Sequence, residues 1–283
     1  MQTLSRLWQK IMNNIIAKIT KDKKEFIKQT PKESDYSNLI AEDSKLFNEN
    51  GELIAVYGVL DDSTNRLRNA CLTTKYDKGS RTDGMKTQSV IFGYAPRNTV
   101  RMQNDICRAT GLLRYQPQVF TTFSNSALLA SEILKTHNPE QYEKQAKFIS
   151  DSVLNEWILK GGAFTSGIVN KDNPLQYHFD SGNFKDSWSV MICFKKKTQG
   201  GHLILPEYDL AVEMADNTFI AFSGATTLHG VSPITKKTDG YRYSIVWYPL
   251  EQMKHCLCAS EEIKRFNNVR QKRESAKERA ITK

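Results

Sequence analysis

The sequence predicts an α+β protein: a double-stranded β-helix (jelly roll) braced by helices, with helical extensions at both ends. Three observations carry this. Short apolar runs rich in β-branched and aromatic residues recur between positions 163 and 248, separated by turn signals. Two stretches at helical spacing, 125–135 and 139–159, precede most of them and read as braces for one face. The 283 residues suffice for one large domain with a well-buried core, and no internal repeat divides them.

The elements follow in order. Leu4, Leu7, Trp8, Ile11, Met12, Ile15, Ile16 and Ile19 fall at helical spacing, opposite Arg6, Lys10, Asn13, Asn14 and Lys18. That pattern predicts an amphipathic basic helix over 4–19. Residues 21–37 are polar and charged and read as a linker, and the folded body is expected to begin at the apolar run 52–57. The chain thus divides into a helical basic extension and linker (1–50), a main domain (51–258) and a basic C-terminal helix or tail (259–283). From 58 to 92, Arg66, Arg68, Lys75, Lys78, Arg81 and Lys86 mix with Gly and Ser and read as a basic loop region. Phe92, Gly93 and Tyr94 mark a turn, with Arg97, Arg101, Arg108 and Arg114 after it. Gly161-Gly162 ends the second helix. Strands are then expected at 163–170, 187–194, 202–205, 209–215, 218–222 and 241–248.

Composition excludes several classes. No run of eighteen apolar residues is present, so no membrane span is expected, and the N-terminal apolar residues are interrupted by Gln, Lys and Asn, unlike a signal peptide. Five cysteines show neither a paired framework nor zinc-type spacing, which predicts a reducing, intracellular setting. The net charge of +9 divides into +2 for 1–50, +3 for 51–258 and +4 for 259–283. A basic chain with a basic tail suits a polyanionic partner, although charge alone also serves solubility.

One constellation carries chemistry. His178 and Asp180 are separated by one residue, so on an extended strand they leave the same face. His229 lies 49 residues after Asp180, and Arg242 lies 13 after His229. Two imidazoles and one carboxylate leave three octahedral positions open, the facial arrangement of non-haem Fe(II) oxygenases. A guanidinium near those positions suits a planar carboxylate. A lone H-x-D motif is common; the intervening strands give this one its weight. His202, after Gly200-Gly201, reads as a non-ligand near the pocket rim, and neither His137 nor His255 has a metal-binding partner in the sequence.

The order H-x-D, G-G-x-L-x-L-P, H and R-x-S resembles the Fe(II)/2-oxoglutarate dioxygenases, specifically the TET/JBP group acting on pyrimidine methyl groups in DNA. The resemblance covers roughly residues 50–250 and rests on 164–170 and 177–180, on 200–208, and on 229–230 with 242–246. It implies Fe(II) held by His178, Asp180 and His229, and 2-oxoglutarate gripped by Arg242 with Ser244 assisting. It also implies a base contact at Asn183 and substrate-side roles for Tyr94 and Arg97. O2 as co-substrate, methylated duplex DNA with a flipped base as partner, and a monomer are the further expectations. The chain lacks the Cys-rich zinc subdomain and long insert of the large animal members and looks like the compact microbial or phage ones.

The favoured function is hydroxylation of a 5-methylpyrimidine, 5-methylcytosine before thymine, with Arg66, Arg68, Arg81, Arg97 and Arg101 for phosphates and Tyr94, Phe184 or Trp188 as stacking platforms. The same chemistry on a free nucleotide, protein side chain or small metabolite is the alternative. A DNA-binding jelly roll without catalysis is a third reading, opposed by the complete ligand set and Arg242.

Overall fold

The computed structural model describes residues 12–80, 86–98 and 105–281. In chain order its strands are β1 (Asn13–Ile16), β2 (Asn38–Ile40), β3 (Ser44–Phe47), β4 (Leu53–Val59), β5 (Asp77–Ser80), β6 (Lys86–Ala95), β7 (Arg108–Ala109) and β8 (Ser166–Lys171). They continue with β9 (Leu175–His178), β10 (Ser189–Gly200), β11 (Leu203–Leu205), β12 (Leu210–Val212), β13 (Thr218–Phe222), β14 (His229–Val231) and β15 (Ile234–Tyr248). Helices are α1 (Asn65–Thr73), α2 (Leu112–Tyr115), α3 (Pro117–Asn125), α4 (Ala127–His137), α5 (Pro139–Ser152) and α6 (Ala259–Ile281).

Two sheets face each other. The larger runs β1-β3-β4-β13-β10-β15-β8-β6-β5, with β7 on β6; the smaller runs β2-β12-β11-β14-β9. Alternation along the strands sorts the side chains into two cores. Val190, Ile192, Phe194, Tyr243, Ile245 and Trp247 point outward from the large sheet into a core completed by Leu67, Phe123, Ala130 and Leu134 of the helices. The opposite phase, including Tyr57, Met191, Cys193, Ile220 and Phe222, meets Leu203, Leu205, Val212 and Val231 of the small sheet. The jelly-roll expectation and its helical braces are therefore met, and α6 is the helical C-terminal extension.

The N-terminal reading is corrected. Asn13–Ile16 is a strand, paired in parallel with Ser44–Phe47, where a helix over 4–19 was expected; residues 1–11 lie outside the described residues. The apolar residues do not share one buried face there, since Ala17 is buried while Ile16 and Ile19 are exposed. Nor are 21–37 a loose linker. Lys28 donates its backbone N–H to the Tyr177 carbonyl (2.9 Å), and the Tyr177 N–H donates to Gln29 (3.0 Å). The Tyr177 hydroxyl donates to Asp35 at 2.8 Å, and Phe26 meets its ring edge-on at 5.5 Å. This segment is a strap across the outer side of β9, and β2 then joins the small sheet beside β12. Folded structure thus starts well before residue 52.

The region expected to be a basic loop contains α1 and the β5–β6 hairpin. Arg68 is not free for phosphate: it pairs with Asp216 (2.6 Å) and stacks on Phe194. Arg81 and Arg101 lie outside the described residues.

The cysteines are also corrected. Cys107 and Cys256 form a disulfide spanning 149 residues, which ties the segment before β7 to the turn before α6. Beside it Glu262, fully buried, accepts from the backbone N–H of Cys107 and Leu257 and from Arg97. By loop-closure entropy such a cross-link limits the unfolded chain by about 5 kcal/mol. Alkylation in denaturant without reductant should label three cysteines, Cys71, Cys193 and Cys258, and reduction should raise this to five; five labelled from the start would mean that the bridge is absent in solution.

Candidate metal centre and active site

β9 and β14 pair so that His178 and His229 are direct cross-strand neighbours. Their ring centroids stand 4.4 Å apart. The chain continues two residues past His178, where the Asp180 N–H donates to the Gly224 carbonyl at 2.9 Å and brings the carboxylate round. Asp180 Oδ1 lies 3.6 Å from His178 Nε2 and 4.0 Å from His229 Nε2. One ligating atom from each residue falls within 4.8 Å of the others, a group that could hold a metal ion.

The hydrogen bonds aim these atoms. His178 Nδ1 lies 2.7 Å from the Gln176 carbonyl and His229 Nδ1 lies 3.0 Å from the Thr227 carbonyl. A carbonyl can only accept, so each Nδ1 carries the proton and each Nε2 lone pair is left for a cation. Burial, outweighing the nearby Asp180 carboxylate, pushes the His229 pKa down and favours the neutral, ligating form. Phe222 braces the His229 ring edge-on at 5.0 Å. Behind the carboxylate, a Cβ on Gly224 would stand 2.3 Å from Asp180 Oδ2, so this position has room only for hydrogen.

These residues open into a cavity of about 360 Å³ that also takes in Asn170, Asn183, Ser244 and Tyr248, with Leu203 and Val231 on its apolar side. Asn170 is held by Ser89 (2.8 Å) and Asn173 (3.2 Å). Asn183 is buried, donates through Nδ2 to Ser189 Oγ at 3.2 Å, and bridges to Leu250.

Arg242 shares a strand face with Ser244, two residues away on β15. Its side chain is 1 % exposed, yet Nε and Nη2 have no hydrogen-bond partner. A buried guanidinium without an anion is costly, so this group calls for a negatively charged ligand. Gly201, at φ +68°, makes the space: a Cβ there would meet Arg242 Nε at 2.5 Å.

The structure brings together His178, Asp180, His229, Ser244 and Asn183. It does not bring Arg97 or Tyr94. Arg97 is taken by Glu262 of α6 (Nε to Oε2, 3.0 Å), and Tyr94 packs edge-on against Trp157. The stacking candidates are likewise packed inward, Phe184 partly buried against Phe148 and Trp188 buried, with its backbone N–H and carbonyl both bonded to the Gln145 side chain. His202 is more than a rim residue. Its Nδ1 is buried with no partner, and burial together with the charges of Lys195 and Arg242 lowers its pKa. The sequence signal for it was the pair of glycines before it, which admit close packing at this end of the barrel.

Gly224→Ala should displace the Asp180 carboxylate and weaken Co(II) binding about tenfold or more, read by titrating the visible d–d bands. Affinity equal to the parent protein would mean that Gly224 does not set the carboxylate position.

A family model described as the oxygenase domain of the 2OGFeDO superfamily, Tet_JBP, matches residues 96–251, more than half of the chain. The bifunctional helicase and thymine dioxygenase JBP2 of Leishmania major is 23% identical over 245 residues, covering 82% of this chain and 21% of that protein. The chain thus spans about a fifth of the length of that relative. Among solved structures, NgTET1 in complex with 5mC DNA matches with a TM-score of 0.57 and 15% identity, over 81% of this chain and 90% of that one, a likeness of fold. The superfamily uses Fe(II) and 2-oxoglutarate, and the His178, Asp180 and His229 group is of the kind that holds such a metal. With that match over residues 96–251, the chain belongs to the Tet_JBP family of 2-oxoglutarate- and Fe(II)-dependent oxygenases.

Proposed function

We propose that this chain hydroxylates the methyl group of a 5-methylpyrimidine in DNA, 5-methylcytosine before thymine, consuming O2 and 2-oxoglutarate and releasing succinate and CO2. The observation that carries it is one cavity that joins the His178, Asp180 and His229 group to Ser244 and Asn183, beside a buried guanidinium lacking an anion. The names of two relatives, a thymine dioxygenase and a protein solved with 5mC DNA, support the choice of DNA.

His178 Nε2, His229 Nε2 and the Asp180 carboxylate hold Fe(II), which supplies the activation of O2 that no side chain provides. Arg242 takes the distal carboxylate of 2-oxoglutarate, giving its Nε–H and Nη2–H the acceptors they lack. Ser244 offers a hydroxyl from the same strand face, and His202 Nδ1 stands ready at the same end. Leu203, Val231 and Met191 keep the cavity wall dry.

A base stacked in a duplex cannot enter this cavity, so it must be flipped, at a few kcal/mol of unstacking. Asn183 then meets its Watson–Crick edge. With Nδ2 donating to Ser189, Oδ1 is left to accept, which suits the 4-amino group of 5-methylcytosine and also the N3–H of thymine. The chain acts as a monomer, and its basic surface meets the phosphates.

Incubation with Fe(II), 2-oxoglutarate and methylated duplex DNA, then nucleoside mass spectrometry, should give hydroxymethylcytosine. No hydroxymethylpyrimidine from metal-loaded protein on methylated or thymine-containing DNA would remove the DNA substrate. His178→Ala or Asp180→Ala should abolish both turnover and the anaerobic visible band formed with Fe(II) and 2-oxoglutarate. Arg242→Ala should raise the 2-oxoglutarate KM about a hundredfold with a smaller change in kcat. Asn183→Ala should cut turnover of methylated DNA about tenfold and leave that band unchanged; a lost band would make Asn183 a structural residue of the metal site.

A further inference from the structure

Lys195 is unaccounted for by the site as described. It stands directly opposite Arg242 in the β10–β15 ladder, so both side chains leave the same face of the sheet, about 5 Å apart at Cβ. That face turns toward the small sheet, as its neighbours Cys193 and Met191 do. Lys195 Nζ donates to the Gly200 carbonyl at 2.9 Å. The next residue, Gly201, is the one whose missing Cβ makes room for the Arg242 guanidinium. The ammonium is therefore anchored one residue from the glycine that touches Nε of Arg242.

Two cations placed side by side repel each other; here the guanidinium is removed from bulk water and the ammonium is partly buried. Among the described residues neither side chain makes an ion pair: no carboxylate lies within 4 Å of Lys195 Nζ or of the Arg242 guanidinium. Partial burial, with the Arg242 charge adding to it, lowers the Lys195 pKa against the opposing charge of Glu213. His202, neutral and with a buried unpartnered Nδ1, contributes no negative charge. The fold thus sets two positive charges side by side with no ion pair to either, the Glu213 carboxylate acting on Lys195 only from beyond ion-pair distance.

We infer that Lys195 is a second cation of the co-substrate pocket, paired with Arg242 on the distal carboxylate and selecting dicarboxylic over monocarboxylic 2-oxo acids. This rests on the reading of Arg242 as the 2-oxoglutarate anchor and adds the residue that sets its selectivity. A carboxylate has two oxygens and about four acceptor sites. Arg242 supplies two of the donors from one side, and the ammonium, with two protons left after Gly200, supplies another from across the ladder. The pocket so formed rewards a full negative charge at the far end of the acid and gives nothing to a methyl group there.

The test is an anaerobic titration of the Fe(II)-loaded full chain with 2-oxoglutarate and with 2-oxobutyrate, followed by the visible band and by calorimetry. Lys195→Gln, which keeps a donor for the Gly200 carbonyl, should raise the 2-oxoglutarate Kd about tenfold to a hundredfold and leave that for 2-oxobutyrate unchanged. At saturating 2-oxoglutarate kcat should stay within about twofold, and Lys195→Arg should restore most of the affinity. In the unmodified protein, acetylation of Lys195, read by peptide mass spectrometry, should be blocked by 2-oxoglutarate and not by 2-oxobutyrate; this holds the question open to decision even if a variant fails to fold. A 2-oxoglutarate Kd unchanged in Lys195→Gln, equal weakening of both acids, or acetylation indifferent to 2-oxoglutarate would each overturn the inference. If Arg242→Ala also leaves the 2-oxoglutarate Kd unchanged, the failure belongs to the co-substrate reading and not to Lys195 alone.

Discussion

The register between β9 and β14 is the constraint on which the site depends. It sets His178 against His229, and a slip of one residue would turn one imidazole to the other face of the sheet. β9 is four residues long and ends the small sheet, the position where pairing is least secured. The strap supplies what the edge lacks. Both backbone groups of Tyr177 are taken up by Lys28 and Gln29, and its hydroxyl by Asp35, so the residue before the first ligand is fixed on three sides. Gly230 completes the arrangement, for a Cβ there would meet Pro31 of the strap at 2.7 Å and the Tyr177 ring at 2.8 Å. The metal ligands are thus positioned partly by residues more than 140 positions earlier in the chain.

This long reach explains which parts were legible in the sequence. His178, Asp180, His229, Arg242 and Ser244 could be found because their spacings are local consequences of the two-residue strand period and of regular strand succession. Most of the strands from 166 to 248 were visible for the same reason, as apolar runs, whereas β9 and β14, of four and three residues, are too short to show one. The strap carries no such mark. Most of its residues are polar, its main-chain bonds to Tyr177 are ones any sequence could make, and its partner is distant. Residues 13–16 misled because apolar residues three and four apart fit a helix, while a short edge strand places few constraints on its own composition.

The basic residues show a different limit. Charge read along a sequence says nothing about where the counter-charge lies. Arg97 looked available for a phosphate and is in fact engaged by a carboxylate 165 residues later, in a helix that reads as a solvent-exposed tail. Arg68 is likewise bound by Asp216 across 148 residues. The Cys107–Cys256 bridge lies in the same neighbourhood as Glu262 and links the same two segments. Arg97 and Cys107 are therefore secured to α6 and to the turn before it by a buried ion pair and a covalent bond, and the two act in one direction.

Arg242 is the reverse case, a cation whose counter-charge the chain does not provide. Removing one partner of a buried ion pair is destabilising because the remaining charge is left unsolvated, and Arg242, buried with Nε and Nη2 lacking a hydrogen-bond partner, is a charge of that kind. The glycine turn makes the room for it: Gly200 and Gly201 both adopt positive φ, Gly200 against the Pro233 carbonyl and Gly201 against the guanidinium. On the proposed reading, an anion bound there would supply the missing acceptors and, by mass action, stabilise the folded chain by about 2.7 kcal/mol at a hundred times its Kd. β15 carries Arg242 and Ser244, and β14, which carries His229, leads directly into it through Ser232 and Pro233, so one stretch of chain bears both the buried guanidinium and one of the candidate metal ligands.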